Sequence, residues 1–334
     1  MYHDRIELYK KLEEKRASKL LVYITGDRSG METQIHSEIL DLIIQHIDLI
    51  SSVPKISLYL YTRGGQTIAA WSIVNLIGQF TDQFEVIIPS KAHSAGTLIC
   101  LGADTIVMTK QATLGPIDPS VNTPLNPAIP GAPPMARVPV SVEAINGFIE
   151  LAKGIGISHS GDLSTVISIL ATHVHPLVLG EVFRTRSQIR MLGKRLLARH
   201  MKDGEKIEKI LAFLCSESGS HDYTIYRREA RNELGLNIEH PNEEQYKLIK
   251  SIYDDVSNEL LLLDPFDPDI LLSTNNEVQY KYKRALVESV IGGSHYFVSE
   301  GRLTKRVQKD QQTGVDKKTI EDNRSFEGWK HEKT

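Results

Sequence analysis

Between residues 20 and 110 the chain alternates two patterns of apolar and polar positions. The runs LLVYIT (20–25), KISLYLYT (55–62), FEVIIPS (84–90) and DTIVMT (104–109) are short, apolar and β-branched. Each closes in polar, Gly or Pro positions, as a strand buried on both faces would. Between them, METQIHSEILDLIIQHIDLI (31–50) and GQTIAAWSIVNLIGQF (65–80) repeat their apolar residues at helical spacing. Strand and helix in regular succession predict a parallel sheet with crossover helices. A charged amphipathic helix over 4–19 precedes the first strand.

From Leu114 the texture changes to LGPIDPSVNTPLNPAIPGAPPMARVP, too rich in proline for a helix and too apolar for a simple linker. It reads as a loop lying over one face. Helical periodicity returns over 141–153, 163–172, 176–202 and 204–216, then in a short helix ending at Gly235 and in NEEQYKLIKSIYDDVSNELLLL. In the helix from 176, Val178, Val182, Ile189, Leu192 and Leu196 form the core stripe and its many Arg and Lys residues a solvated face. A strand pair is expected around 279–298. Four segments follow: an N-terminal helix (1–19), a main domain (20–240), a helical and strand extension (241–304), and a polar tail (305–334) expected to be disordered.

With 334 residues and 41% hydrophobic content the chain can bury a full α/β core. A net charge of -3 argues against nucleic acid or anionic lipid as a partner. Cys100 and Cys215, the only cysteines, sit in apolar helical runs with no metal-type spacing, which suits a reducing compartment. Neither a signal peptide nor a run of roughly 18 apolar residues is found, so a cytoplasmic protein without an integral membrane segment is expected. No P-loop occurs, and the HVH at 173–175 lacks a third ligand at metal spacing, so no cofactor is expected.

In open parallel sheets ligands gather beyond the carboxyl ends of strands. Two such ends, YTRGGQ (61–66) and PSKAHSAGT (89–97), carry suitable chemistry. Gly64 and Gly65 can turn sharply and present bare N–H groups, and the N-terminus of a helix after Ser94 offers more, Ala95 first. Together these would make an oxyanion hole, with Ser94 as the nucleophile beside it and the small Ala95 and Gly96 admitting a substrate carbonyl. A serine before a helix is equally a good cap, and the local sequence leaves both readings open.

The ordered segments YTRGGQTIAAWSIVN, PSKAHSAGTLICLGADTIVM and ATLGPIDPSVNTPLNP resemble the serine dehydrogenase proteinase family, peptidases related to signal peptide peptidase A and, more distantly, to Clp protease subunits and crotonases. The resemblance spans about 20–240. It implies a ClpP/crotonase-like α/β fold of repeated ββα units, a Ser94 nucleophile, oxyanion donors at Gly64 or Gly65 and at Ala95, a peptide or unfolded-protein substrate, and a homo-oligomer. It also implies two rivals on the same fold: acyl-CoA chemistry, and a catalytically silent binding scaffold.

The base does not carry over. The stretch GIGISHSGDLSTVISILATHVH, where signal peptide peptidase A has its lysine, holds none, and TLGPIDP, where Clp subunits have a histidine, holds none. His175, just before Pro176 at the start of the long helix, is the lead candidate because an imidazole titrates near neutral pH. His173, His159, His93 and Lys153 are the others. HDYTIYRREARNELGL resembles the Clp stretch that carries the catalytic aspartate and places Asp222 there; a turn carboxylate paired with Arg227 or Arg228 is the competing reading.

Overall fold

The structure is a computed structural model that describes residues 2–117, 120–133, 135–157, 159–217, 220, 222–309 and 316–332. The chain divides into two compact units: residues 1–114 with 226–334, and residues 115–225. The first unit therefore draws on both ends of the chain. This departs from the expected single domain over 20–240, because the proline-rich segment and the helices after it form a unit of their own.

In the first unit α1 (Tyr2–Arg16), β1 (Lys19–Thr25), α2 (Ile39–Ile50), β2 (Lys55–Tyr61), α3 (Thr67–Ile77), β3 (Gln83–Ile88), β4 (Lys91–Ala92), α4 (Ala95–Leu101), β5 (Thr105–Met108) and β6 (Thr113–Leu114) follow one another. The apolar runs become strands as expected, β1 and β2 each burying six of seven residues. β4 and β6 are short second strands, paired in parallel with each other outside the main sheet. They give the β3–β4–α4 stretch the expected ββα character. Helix α2 begins eight residues later than the periodicity of 31–50 suggests, because residues 33–36 are extended and bridge to Gly65.

The second unit holds β7 (Ser120–Val121), β8 (Val140–Ser141), α5 (Val142–Gly154), α6 (Ser160–His173), α7 (Pro176–Leu197) and α8 (Gly204–Ala212), which runs on into a π-turn over Phe213–Glu217. β7 and β8 pair antiparallel across the proline-rich loop. Buried Asn126 ties that loop together, donating to the carbonyls of Val121 at 2.7 Å and Val138 at 2.9 Å. The α7 stripe from Val178 to Leu196 is buried as expected, with Val178 and Val182 packed on Val121, Val140 and Val142.

The chain re-enters the first unit through β9 (Ile225–Tyr226), α9 (Arg227–Asn232), β10 (Ile238–Glu239), α10 (Glu243–Glu259), α11 (Pro268–Leu271), β11 (Glu277–Ser289), β12 (Gly293–Lys309) and β13 (Asp316–Glu332). The main sheet runs β10-β5-β3-β2-β1-β11-β12-β13. It is parallel from β10 to β1 and antiparallel from β1 onward.

Of the tail expected to be disordered (305–334), residues 305–309 extend β12 and Asp316–Glu332 form β13, paired with β12 along its length, while 310–315 and 333–334 lie outside the described residues. Its composition misleads because the outer strands bury little. Their backbone bonds come from the ladder, and their polar side chains pair across it, as Lys330 does with Glu300 at 2.6 Å and Tyr280 with Asp322 at 2.6 Å.

Candidate active site

β1, β2 and β3 are parallel neighbours, so their carboxyl ends, residues 25–27, 61–66 and 89–94, meet at one edge of the sheet. Hydroxyl groups lock these ends together. Thr25 Oγ1 donates to Thr62 Oγ1 at 2.7 Å, and Thr62 Oγ1 accepts the Gly64 N–H at 3.0 Å. The His93 N–H donates to the Thr62 carbonyl at 3.1 Å, which fixes the approach to Ser94 against the β2 end.

Past Thr62 the chain turns through Gly64 and Gly65, with φ of 120° and 145°, a region that a residue with a Cβ rarely enters. The segment ahead of α2 clamps this turn. Ile35 N–H donates to the Gly64 carbonyl and Gln66 N–H to the Ile35 carbonyl, both at 2.8 Å. A Cβ on Gly65 would lie 2.3 Å from the Ile35 carbonyl oxygen. Both glycines are thus required by geometry.

Ser94 stands before the first residue of α4, yet its side chain does not cap the helix. Its φ of 51° and ψ of -116° lie outside the regions open to serine, a conformation that costs on the order of 1–3 kcal/mol. It is the conformation of a sharp strand-to-helix turn that lifts a side chain clear of the backbone. A Cβ on Gly64 would stand 2.7 Å from Ser94 Cβ and 3.2 Å from its Oγ, so glycine at 64 leaves the space beside the hydroxyl.

The backbone donors are not equivalent. The N–H of Gly64, one of the two glycines expected as alternatives here, donates to Thr62 Oγ1 at 3.0 Å. The N–H groups of Gly65 and Ala95 have no hydrogen-bonded partner among the described residues. Gly96 is small for another reason than the one expected: a Cβ there would meet Thr62 Cγ2 at 2.4 Å. It makes room for the threonine that anchors the glycine turn.

Of the candidates for the base, only His93 shares a unit with Ser94, and its Nε2 is hydrogen-bonded to Thr113 Oγ1 at 2.8 Å. His159, His173, His175, Lys153 and Asp222 belong to the second unit. His175 caps α7, its Nδ1 accepting the Leu177 N–H at 3.2 Å. The lone pair of that nitrogen is occupied, and the neutral ring then carries its proton on Nε2. To serve as the base His175 would have to exchange this capping bond. Lys153 is exposed and paired with Glu150 at 2.8 Å, as a helix-end ammonium would be. His159 and His173 are exposed. Asp222 lies exposed in a turn, its N–H bonded to Ser220 Oγ at 3.2 Å.

One polar group went unnoticed in the sequence. Lys91 Nζ pairs with Asp27 at 2.8 Å, and the other Asp27 oxygen accepts from Tyr61 Oη at 2.7 Å. Burial, and then the Asp27 carboxylate, push the Tyr61 phenol well above its usual range. Asp27 follows β1, Tyr61 ends β2 and Lys91 opens β4, and the position of Asp27 and Lys91 just after apolar runs was the signal available to find them.

Residues 1–132 match the family model described as the ClpP-like SDH-type serine proteinase. That segment contains β1 to β6, the glycine turn and Ser94, so the family resemblance read in the sequence is shown where the site lies. The chain is 26% identical over 253 residues to an uncharacterised protein of Methanocaldococcus jannaschii, a match covering 74% of this chain and 77% of that one. Among solved structures, a ClpP1 variant from Listeria monocytogenes aligns at 16% identity with a TM-score of 0.37, over 72% of this chain and 99% of that one. A variant of the 1510-N membrane-bound stomatin-specific protease, bound to a substrate peptide, aligns at 17% identity with a TM-score of 0.37, over 71% of this chain and 99% of its own. Among the described residues, no single helix is long and apolar enough to cross a membrane.

Proposed function

We propose that this protein is a serine endopeptidase in which Ser94 attacks the substrate carbonyl. The observation that carries the reading is the Ser94 backbone at φ 51°, with its side chain released from capping and set against Gly64. A serine there for helix capping alone would spend its hydroxyl on the helix and avoid the strain. As the Ser94 oxygen adds to the carbonyl carbon, the carbonyl oxygen takes the negative charge. The free N–H groups of Gly65 and Ala95 are the donors for it, each worth roughly 3–4 kcal/mol in acyl transfer.

The base accepts the hydroxyl proton and passes it to the leaving amine, so that an acyl-enzyme forms on Ser94 and water then hydrolyses it. Its candidates are His93, His159, His173, His175 and Lys153, with Asp222 as the carboxylate that would orient a histidine. In His93 and His175 one ring nitrogen is already engaged, and each would have to exchange that bond on substrate binding. The substrate is a peptide or unfolded protein, and the working form a homo-oligomer in a cytoplasmic setting. An acyl-CoA enzyme of the same fold would use the paired N–H groups without any serine.

The test is cleavage of an unstructured protein by wild type and Ser94→Ala. Loss of at least about a hundredfold in kcat/KM is expected from removing a nucleophile. Unchanged cleavage in Ser94→Ala would end the proposal. Glutamine at each histidine in turn then finds the base, expected as the variant that loses the rising limb of activity near the histidine range.

A further inference from the structure

A cavity of about 280 Å³ opens beside the glycine turn, within the first unit. Its near wall is the segment of Thr33, Gln34, Ile35 and His36, followed by Gln66. Through Ile35 this is the same segment that clamps Gly64 and Gly65. Its far wall comes from the C-terminal strands: Arg284 on β11, Phe297 on β12, and Glu327 and Trp329 on β13. The Phe297 and Trp329 rings meet edge to face with centroids 5.6 Å apart. The cavity thus lies between the glycine turn and three C-terminal strands, of which only β13 falls in the segment read from sequence as a disordered tail.

Its chemistry is one-sided. Arg284 is the only Arg or Lys among the lining residues, facing the carboxylates of Glu32, Glu38 and Glu327. The Arg284 guanidinium is largely buried and already spent: it donates to the carbonyls of Met31 at 2.9 Å and Glu32 at 2.6 Å, to Ser299 Oγ at 2.9 Å, and to Glu327 at 3.1 Å. Glu327 is shared between Arg284 and Arg324. Among the described residues, neither Glu38 nor Glu32 pairs with an Arg or Lys. Glu38 Oε1 accepts the Trp329 indole N–H at 3.1 Å, which holds the carboxylate against the aromatic wall, and its nearest basic group is His36 at 3.9 Å. A carboxylate fixed beside an indole suits a guanidinium or ammonium, which gains the charge pair and the indole ring, while the Phe297 ring already carries the Arg284 guanidinium 5.7 Å from its centroid.

We propose that this cavity is a subsite for a basic side chain, arginine or lysine, of the peptide substrate. It rests on the peptidase reading for the origin of its ligand but not for the ligand's chemistry. Glu38 and Trp329 are the residues that select the cation. The Ile35 clamp places the subsite next to the turn that carries the Gly65 N–H.

The test reads binding, so that it is independent of cleavage. Full-length protein carrying Ser94→Ala and Trp71→Phe, which leaves Trp329 as the only tryptophan, is titrated with Nα-acetyl-arginine amide, Nα-acetyl-leucine amide and the free diamine putrescine, following indole emission. The arginine amide is expected to change the emission saturably, at least about tenfold more tightly than the leucine amide, and to weaken about tenfold in Glu38→Gln. Equal affinity for the arginine and leucine amides, or no saturable change, overturns the proposal. Tighter binding of putrescine than of the arginine amide also overturns it, in favour of a free polyamine site. In the cleavage assay Glu38→Gln is expected to raise KM for arginine-containing peptides with kcat unchanged. If no peptide is cleaved while the arginine amide still binds, the peptidase reading fails and the cation site stands.

Discussion

Ser94 sits where the backbone is strained and the hydroxyl is idle, and these two facts separate function from stability in a measurable way. Ser94→Gly removes the steric cost of φ 51° and is expected to raise the unfolding free energy by about 1 kcal/mol in urea titrations while abolishing cleavage. Gly64→Ala should do the opposite: a Cβ 2.7 Å from Ser94 Cβ, at φ 120°, is expected to cost at least about 2 kcal/mol and to displace the serine. An alanine at 64 that left both stability and activity intact would show that the glycine turn does not abut Ser94. Ser94 and the glycine pair were legible in the sequence because they stand at the ends of apolar strand runs. Which glycine keeps a free N–H was not, since that depends on the Thr62 hydroxyl, two residues away in sequence and bound to Thr25 from another strand. The base was equally hidden, because the sequence offers several histidines and a cap such as His175 shows itself only once the helix start after it is defined.

At the scale of elements, helices and central strands followed from periodicity, while β13 did not, since an outer strand of polar residues has no apolar signature. Its docking lays the exposed His331 ring on a buried pair of histidines. His46 on α2 bonds Ser289 Oγ at 2.8 Å and His295 on β12 at 2.9 Å, and the His295 ring stacks on His331 of β13 at 3.9 Å. Burial first, then the neighbouring histidines, lower His46 to about 3 and His295 to about 4. Both stay neutral in the fold where the unfolded chain, titrating near 6.5, takes up protons. The stability they contribute is therefore complete above about pH 6.5, falls as the pH drops through the window down to about 4, and is level below about 3. By pH 5 the loss is expected to be about 2 kcal/mol for each histidine, read as a falling urea midpoint between pH 7.5 and 5. His46→Gln, which keeps a hydrogen-bonding amide, should flatten part of that slope, and an unchanged slope would place the titration elsewhere.

Over the whole molecule, the unit that bears Ser94 is closed by residues from both ends of the chain. β1 pairs with β2 on one side and with β11, from beyond residue 226, on the other. Arg5 on α1 reaches Glu288 on β11 at 2.7 Å and also pairs with Asp255 and Glu259 of α10, with its own side chain fully buried. The segment matched by the family model ends at residue 132, so it holds the site but not these partners. A chain cut after residue 132 is expected to be insoluble or to lack a cooperative transition, and Arg5→Ala in the full chain to lose about 3–5 kcal/mol by stranding buried carboxylates. A soluble, cooperatively folding 132-residue chain would contradict this dependence. Such closure is invisible to periodicity, which sees only neighbours along the chain.

The central claim is that Ser94 is an activated nucleophile beside two free backbone N–H groups. Its most direct test is intact-mass analysis after treating the native protein with a fluorophosphonate, alongside Ser94→Ala. One adduct per chain, mapped to the peptide containing Ser94 and lost in Ser94→Ala, is the expected result. An unlabelled wild-type protein, or an adduct that persists in Ser94→Ala, would contradict it.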